Sequence, residues 1–488
     1  MSKSLRKNFI AYTILNFFNL AFPFLITPIV FHRLGVSGIG IVLFVQNIVA
    51  YFVLFANMAI PNYGIRQVAR VRDNQVQLQR TFSELFSLQI CQNIIFWLIY
   101  LYVITYLSVR SNIHTSNLIY YLFSLNILFG ALSLNWVFEG LEDFKFVTLR
   151  TVVIKVFSGI AIILLVHSDA DVGIYALCLF IPDFILGIFS VIYLYRKVGF
   201  SLKNPLPIIK QSWRVLLNVF MLYSAYFLMT NLDILLLGYN SDSTQIAYYG
   251  ISSKIIGILF TMLLSFIYVA GPRLSNYANT DRVAFNNLLE RLSGFLLLPV
   301  FTFVLLVLLA GKDILYFFGG LKFVAANPIL QVFAIYFLIM ALRYFISSYV
   351  YFTNGKERFV ALSFYFSLCC SIIIKIIFRE HLGGLGLISI TTCSELIILL
   401  ILAINMARVT NTLFSFWNIN NLKFLIAALM VFIGFRIYLL GAGDFSLFST
   451  VKLGIMIVIS FWGVIFILRE ENIISVYAWL KVKVKGIN

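Results

Sequence analysis

Read for apolar and polar positions, the chain is a succession of long apolar runs separated by short polar connections. Fourteen runs reach spanning length, near 9-31, 39-60, 82-107, 117-138, 147-167, 173-195, 214-239, 246-271, 292-310, 327-352, 359-378, 383-406, 422-440 and 446-468. A helix rising about 1.5 Å per residue needs about 20 residues to cross roughly 30 Å of hydrocarbon, so each run predicts one transmembrane helix. Composition agrees: of 488 residues, 61% are hydrophobic and 11% charged, and the mean hydropathy is +0.98. Soluble domains carry about a quarter charged residues. The sequence therefore predicts an all-α integral membrane protein of about fourteen transmembrane helices, with no length left for a sizeable soluble domain.

Charge orients the spans. The chain holds 36 Lys and Arg against 19 Asp and Glu, a net charge of +17. Sorted onto alternating sides, 25 of the basic residues fall on the side that holds both termini and five on the other: Arg33, Arg110, Lys312, Lys322 and Arg379. Six more, Lys155, Lys254, Arg343, Lys375, Arg436 and Lys452, lie within runs. The excess of Lys and Arg on cytoplasmic loops places both termini in the cytoplasm. With the acids included, net charge is +15 inside, −1 outside and +3 within the membrane, so most of the +17 is topology and implies no nucleic-acid partner.

Pro205 and Pro207, between runs 6 and 7, mark a linker between two six-span halves. The expected division is an N-terminal lobe over 1-200, a C-terminal lobe over 211-408, an extra helix pair over 421-468 and a basic cytoplasmic tail over 469-488. Pro23, Pro28, Pro61, Pro182, Pro272, Pro299 and Pro328 lie in or at the ends of spans, where kinked or interrupted helices can face a cavity. A weak repeat joins the halves: Arg33-Leu34-Gly35 ends run 1 and run 2 closes on Pro61, while Leu236-Leu237-Gly238 ends run 7 and run 8 closes on Pro272. The basic start at Lys3, Arg6 and Lys7 precedes an apolar run too long for a signal-peptide core and reads as an uncleaved first span. Cys91, Cys178, Cys369, Cys370 and Cys393 all fall inside apolar runs and read as buried apolar side chains.

An ionisable group at bilayer depth is costly and faces a cavity or a partner. Lys155, Lys375, Arg436 and Lys452 lie within about two turns of a membrane face, close enough for a long side chain to reach water. Asp183, Lys254, Arg343 and Glu395 lie roughly 8 to 12 residues from a span end and Asp233 about six, too deep for that. Two readings of the deep set stand: interhelical ion pairs that hold the bundle together, or a polar cavity that binds an anion and a coupling cation. Basic side chains around a cavity suit a phosphate or pyrophosphate, which accepts several charge-assisted hydrogen bonds.

Enzyme chemistry finds no support. Gly35-Val36-Ser37-Gly38 fits the G-x-S-G of an intramembrane serine protease, but no histidine on a following span stands ready as base. His32, His114, His167 and His381 all lie at outer loops without metal-ligand spacing, and Asp169-Ala170-Asp171 sits in a loop too small for a glycosyltransferase acceptor site. No P-loop is present, which argues against an ATP-driven pump.

Two stretches carry a more specific signal. Ile48 to Asp73 reads IVAYFVLFANMAIPNYGIRQVARVRD, and Asn135 to Lys155 reads NWVFEGLEDFKFVTLRTVVIK. They resemble the signature segments of Wzx-type O-antigen and capsular repeat-unit flippases, the polysaccharide-transport branch of the superfamily that also holds the MATE exporters and the peptidoglycan lipid flippase. The second half resembles the family more loosely, through Asp233-Ile234-Leu235-Leu236-Leu237-Gly238, Ala247-Tyr248-Tyr249 with Lys254, and Gly383 to Glu395.

The resemblance implies a MATE-like fold of two six-helix lobes around a cationic cavity, moving an undecaprenyl-pyrophosphate type of lipid-linked oligosaccharide across the bacterial cytoplasmic membrane by alternating access. The family often has twelve spans; fourteen resembles the peptidoglycan flippase, whose extra pair forms a groove for the lipid tail. On this reading Arg66, Lys155, Lys254, Arg343 and Lys375 present positive charge to the pyrophosphate, and Asp183, Asp233 and Glu395 couple transport to Na⁺ or H⁺. Arg66 also fits simple positive-inside topology. No cofactor is expected; the partners are the lipid-linked oligosaccharide, membrane lipids and a polysaccharide polymerase. Two alternatives remain, a cation-coupled drug exporter, which would want an acid-dominated cavity, and a non-transporting membrane partner of a polymerase.

Overall fold

The computed structural model describes residues 3–58, 60–111, 117–202, 206–239, 243–410, 419–439 and 447–468. These residues are almost entirely helical and contain no strand. The basic tail expected over 469-488, Pro205, His114, Asp242 and Asp444 lie outside them. The chain divides into two compact units, 1–247 and 248–488.

The first unit is built from α1 (Lys3–Asn57), α2 (Ile60–Val71), α3 (Gln75–Ser111), α4 (Asn117–Gly130), α5 (Asn135–Gly140), α6 (Phe144–Leu165), α7 (Val172–Lys197) and α8 (Leu206–Tyr239), with α9 (Ser243–Thr280) passing from it into the second unit. α1 carries runs 1 and 2 as one helix kinked at Gly35, whose φ of 61° with ψ of −176° is open only to glycine. A Cβ there would also lie 2.7 Å from a carboxylate oxygen of Asp169. Just before the kink, Arg33 donates to the carbonyls of Ile163 and Val166, satisfying the otherwise unpaired end of α6. Gly238, its counterpart in the weak sequence repeat, sits instead inside continuous α8, pressed against Phe44. α9 likewise continues through Pro272 to Thr280.

Two departures from simple spans shape the interior. The IPNYGIRQVARV stretch leaves α1 and forms α2, an amphipathic helix that buries Ile60, Gly64 and Val68 along one face and exposes Arg66 and Arg70. Run 4, expected as one span, breaks over 131–134 into α4 and α5. The break frees backbone carbonyls, and buried Gln89 of α3 donates to two of them, Gly130 and Ser133, while its own oxygen accepts from Trp136 Nε1 at 3.0 Å. α2 then packs on α5 as knob against notch: Gly64 lies under the Trp136 ring and Gly140 under Val68. Arg72 and Glu142 close the same junction with an ion pair at 2.6 Å. The two sequence stretches that carry the family resemblance are thus joined in space.

The sequence expectation opens the second lobe at 211; the structure packs α8 on α1, α2 and α3, so the first unit runs one helix further, to residue 247. Asn47 donates to Asn231 at 3.1 Å and Tyr51 meets Phe227 edge to face across the α1 and α8 contact.

The second unit continues with α10 (Arg282–Gly319), α11 (Asn327–Phe345), α12 (Glu357–Ile377), α13 (Gly384–Thr410), α14 (Ile419–Leu439) and α15 (Leu447–Ile467). Asp281 caps α10 by accepting from the amides of Val283 and Ala284. α11 passes at Ile346–Phe352 into a π-helical turn. The extra pair, α14 and α15, docks on α10 through Phe424, Ala427, Val431, Ile457, Phe461 and Ile465.

Among the described residues, eleven segments are long and apolar enough to cross a membrane, by length and composition. The first of them, 13–71, holds two of the sequence runs, and two shorter apolar helices, Phe227–Gly238 and Lys452–Ile467, hold two more. Large apolar side chains stay exposed on outward faces, among them Leu149, Phe157 and Leu164 on α6 and Phe189 and Ile192 on α7, as in a protein solvated by lipid tails. Of the five cysteines, only Cys178 is buried, and Cys369 and Cys393 are exposed, which corrects the expectation that all five are core residues.

Candidate functional site

A cavity of about 540 Å³ opens inside the first unit, walled by α1, α4, the break after it, α5, α6 and α7. Its lining is unusually polar for the interior of an apolar bundle. Asn19, Asn57, Asn126 and Asn135 supply amides, Arg150 and Lys155 positive charge, and Glu139 and Asp183 carboxylates. The helical break brings Ser133 and Asn135 to the wall, and the i, i+4 spacing of Thr151 and Lys155 sets one face of α6 toward the cavity.

Arg150 is the chemical centre of this wall. It is 8% exposed, and its guanidinium donates to the Leu186 carbonyl at 2.8 Å, to Ser190 Oγ and to Asn135 Oδ1. The rings of Phe138 and Phe146 flank it, with centroids 4.9 and 5.6 Å from Cζ. Nε has no hydrogen-bond partner, and no carboxylate among the described residues forms an ion pair with it. A guanidinium cannot shed its proton, so the charge is balanced only by neutral dipoles. It retains unused donors and a positive charge without an acid partner at the edge of a cavity, an arrangement chemically able to accept an anion.

Lys155 lies five residues further along α6, about 7 Å by helical rise. Its ammonium donates to Asn19 Oδ1 at 3.0 Å and sits 5.9 Å from the Phe22 centroid. Asp183 of α7 lines the same cavity and interacts electrostatically with Lys155. The structure therefore brings together Lys155 and Asp183 of the residues expected from sequence, and adds Arg150. Arg150 escapes the sequence argument because it stands only six residues into α6, where counting assigns it to the cytoplasmic interface. Two signals in the sequence pointed to it: its place inside the Asn135 to Lys155 stretch, and the neighbouring Thr151, with which it makes a polar pair at the start of an otherwise apolar run.

The other expected residues lie elsewhere. Arg66 is exposed on α2, outside the cavity lining. Asp233 is fully buried on α8, within electrostatic reach of Tyr51. Lys254 is partly buried on α9. In the second unit, Arg343 and Glu395, expected to serve substrate and ion separately, are bound to each other: Arg343 Nε donates to Glu395 Oε2 at 2.5 Å, with the side chains 3% and 0% exposed. Phe364 stacks on that guanidinium, its centroid 4.8 Å from Cζ. Lys375, expected near a membrane face, is fully buried and donates to Thr391 Oγ1 at 2.7 Å. Arg436 and Lys452 are exposed. At the turn between α6 and α7, Asp171 of the Asp169-Ala170-Asp171 stretch accepts from the amides of His167 and Ser168, so it is a turn residue.

Comparison with known proteins places this architecture. The family model described as "Polysaccharide biosynthesis protein" matches residues 5–278, more than half of the chain. A Shigella dysenteriae protein named "Putative O-antigen transporter" is 25% identical over 278 residues, covering 56% of this chain and 67% of its own length. An Escherichia coli K12 protein of the same name is 24% identical over 289 residues, covering 57% and 67%. Among solved structures, the lipid II flippase MurJ in an inward closed conformation superposes with a TM-score of 0.71 at 18% identity, over 94% of this chain and 99% of its own, which establishes a shared fold. On the family match and this fold, the chain belongs to the polysaccharide biosynthesis protein family of multi-pass membrane proteins.

Proposed function

We propose that the protein is a flippase that carries a lipid-linked oligosaccharide, of the undecaprenyl-pyrophosphate type, across the bacterial cytoplasmic membrane for O-antigen or capsule assembly. The physical need is plain: a sugar-pyrophosphate head cannot enter roughly 30 Å of hydrocarbon unshielded, while a polyprenyl tail can remain in lipid. The observation that carries the reading is the buried guanidinium of Arg150, without an acid partner, at the wall of a polar cavity in a membrane bundle. The names of the O-antigen relatives and the fold of the lipid II flippase point the same way. Arg150 and Lys155 would take the pyrophosphate, and alternating access would open the cavity to each side in turn. Asp183, a carboxylate beside Lys155 in the same cavity, is the group best placed to bind a proton or Na⁺ as the phosphate competes for the ammonium. Both termini would face the cytoplasm, where the repeat unit is built, and a polysaccharide polymerase would consume the transferred unit on the opposite face.

Proteoliposomes loaded with lipid-linked oligosaccharide test this. Arg150→Gln should cut transfer at least tenfold in protein that still inserts and runs monodisperse, and Arg150→Lys should restore part of it, because charge survives while the forked geometry is lost. Undiminished transfer by Arg150→Gln, or export of cationic dyes with no transfer of the lipid-linked sugar, would overturn the proposal.

A further inference from the structure

The cavity has a second wall that the phosphate reading does not use. Phe129 of α4 and Phe180 and Phe184 of α7 all line it, with ring centroids 4.4 Å apart for Phe129 and Phe184, 5.7 Å for Phe129 and Phe180, and 5.9 Å for Phe180 and Phe184. Aromatic side chains in membrane proteins ordinarily face lipid or the interfacial belts. These three form a continuous aromatic surface turned on a polar cavity, and Phe180 and Phe184 flank Asp183 by three residues and one along α7. Beside them stand side-chain amides. Asn126, one turn before Phe129 on α4, also lines the cavity, and the Asn57 side-chain oxygen is buried without a partner. Each asparagine offers an acceptor and two donors.

We infer that Phe129, Phe180 and Phe184, with Asn57 and Asn126, form a saccharide subsite contiguous with the Arg150 and Lys155 anion subsite, so that the cavity recognises a glycosyl phosphate and not a phosphate alone. A pyranose has one face of polarised C–H groups, which the negative face of an aromatic ring attracts, and a rim of hydroxyls, each able to donate and accept. In a glycosyl phosphate the ring is joined directly to the phosphate. The ligand therefore demands cations, aromatic faces and amides within a few ångström of one another, and α4, α6 and α7 put all three around one space. A cavity of about 540 Å³ lies within the roughly 300–1,000 Å³ range of small-molecule sites. The first sugar of the repeat unit would then be read by this wall, and changes at Phe184 and Asn126 would alter which repeat units are accepted.

The inference rests on the flippase reading, and the test separates the two. Purified protein in lipid nanodiscs is titrated calorimetrically with inorganic phosphate, pyrophosphate and a panel of hexose and N-acetylhexosamine 1-phosphates. At least one sugar ester should bind tenfold or more tighter than phosphate. Phe184→Leu, which keeps apolar volume without a ring, should reduce that ester to the affinity of phosphate and leave phosphate itself unchanged; Phe184→Tyr should retain the gain. Asn126→Ala, which removes only an amide from the cavity wall, should lower sugar-ester affinity in the same selective way. Phosphate binding with no sugar gain, or a gain that survives both Phe184→Leu and Asn126→Ala, overturns the saccharide subsite alone. No binding of phosphate or pyrophosphate overturns the anion site together with it.

Discussion

The ion pair between Arg343 and Glu395 offers the sharpest separation between a group that holds the bundle and a group that handles substrate. At 2.5 Å and an effective dielectric of about 20, two unit charges attract by about 7 kcal/mol. Removing both ions from water costs several kcal/mol each, so the pair as a whole contributes little net stability. Its members are not separable, however. With side chains 3% and 0% exposed, deleting either strands the other charge where no water reaches it, at a cost of about 3–5 kcal/mol. Arg343→Met and Glu395→Met should therefore each lower the thermal midpoint of the detergent-solubilised protein by several degrees, whereas the double variant, which leaves no charge behind, should recover to within about 1 kcal/mol of the parent. Transport in proteoliposomes supplies the second readout, and the recovered double variant should transport. A single variant with unchanged stability, or a double variant that recovers nothing, would refute the burial argument. A double variant that is stable and inactive would return the pair to the transport machinery.

Three further outcomes follow from local geometry. Gly64→Ala on α2 gains up to about 1 kcal/mol of helix propensity, but the new Cβ would collide with the buried Trp136 ring, an overpacking worth about 1–3 kcal/mol, so thermal unfolding should show a net loss. Gln89→Leu leaves Trp136 Nε1 and the carbonyls of Gly130 and Ser133 without their partner, and should cost more than about 1–3 kcal/mol, the penalty for one stranded group, by the same measurement. Burial raises the Asp143 carboxyl, yet hydrogen bonds from Lys197 and Tyr193 and the Lys197 charge outweigh it and hold the group below its ordinary range. A carboxylate so lowered contributes stability that is present above the unfolded-state value, about 4, and is lost as pH falls through the folded value. The thermal midpoint difference between the parent and Asp143→Asn should hold steady from pH 6 to 8 and shrink below about pH 4.

Apolar period and length made the helices legible, because lipid demands about 20 apolar residues per crossing whatever the neighbours do. What they could not reveal is azimuth. Counting from a span end gives the depth of a charge and not the neighbour its face meets: Arg343 and Glu395, 52 positions apart, are each deep, but only the packing of α11 on α13 makes them partners. Arg150 fails in the opposite sense, since its depth is modest and its significance comes from Asn135 and Ser190, contributed by a helical break and by α7. The break itself was hidden because its residues, Ala131 to Leu134, are as apolar as a continuous span and depend on Gln89 of α3 to answer the freed carbonyls. The stretches that carried the family resemblance build a packing junction as well as part of the cavity wall. Gly64 and Val68 on one and Trp136 and Gly140 on the other are packing partners, and Asn135 and Arg150, at the start and within the second stretch, lead from that junction to the cavity wall. The residues that face the cavity from α4 and α7 lie outside both stretches. Selectivity for a particular sugar should accordingly follow Asn126, Phe129, Phe180 and Phe184, and exchange of those four side chains between relatives should move substrate preference while the junction residues stay the same.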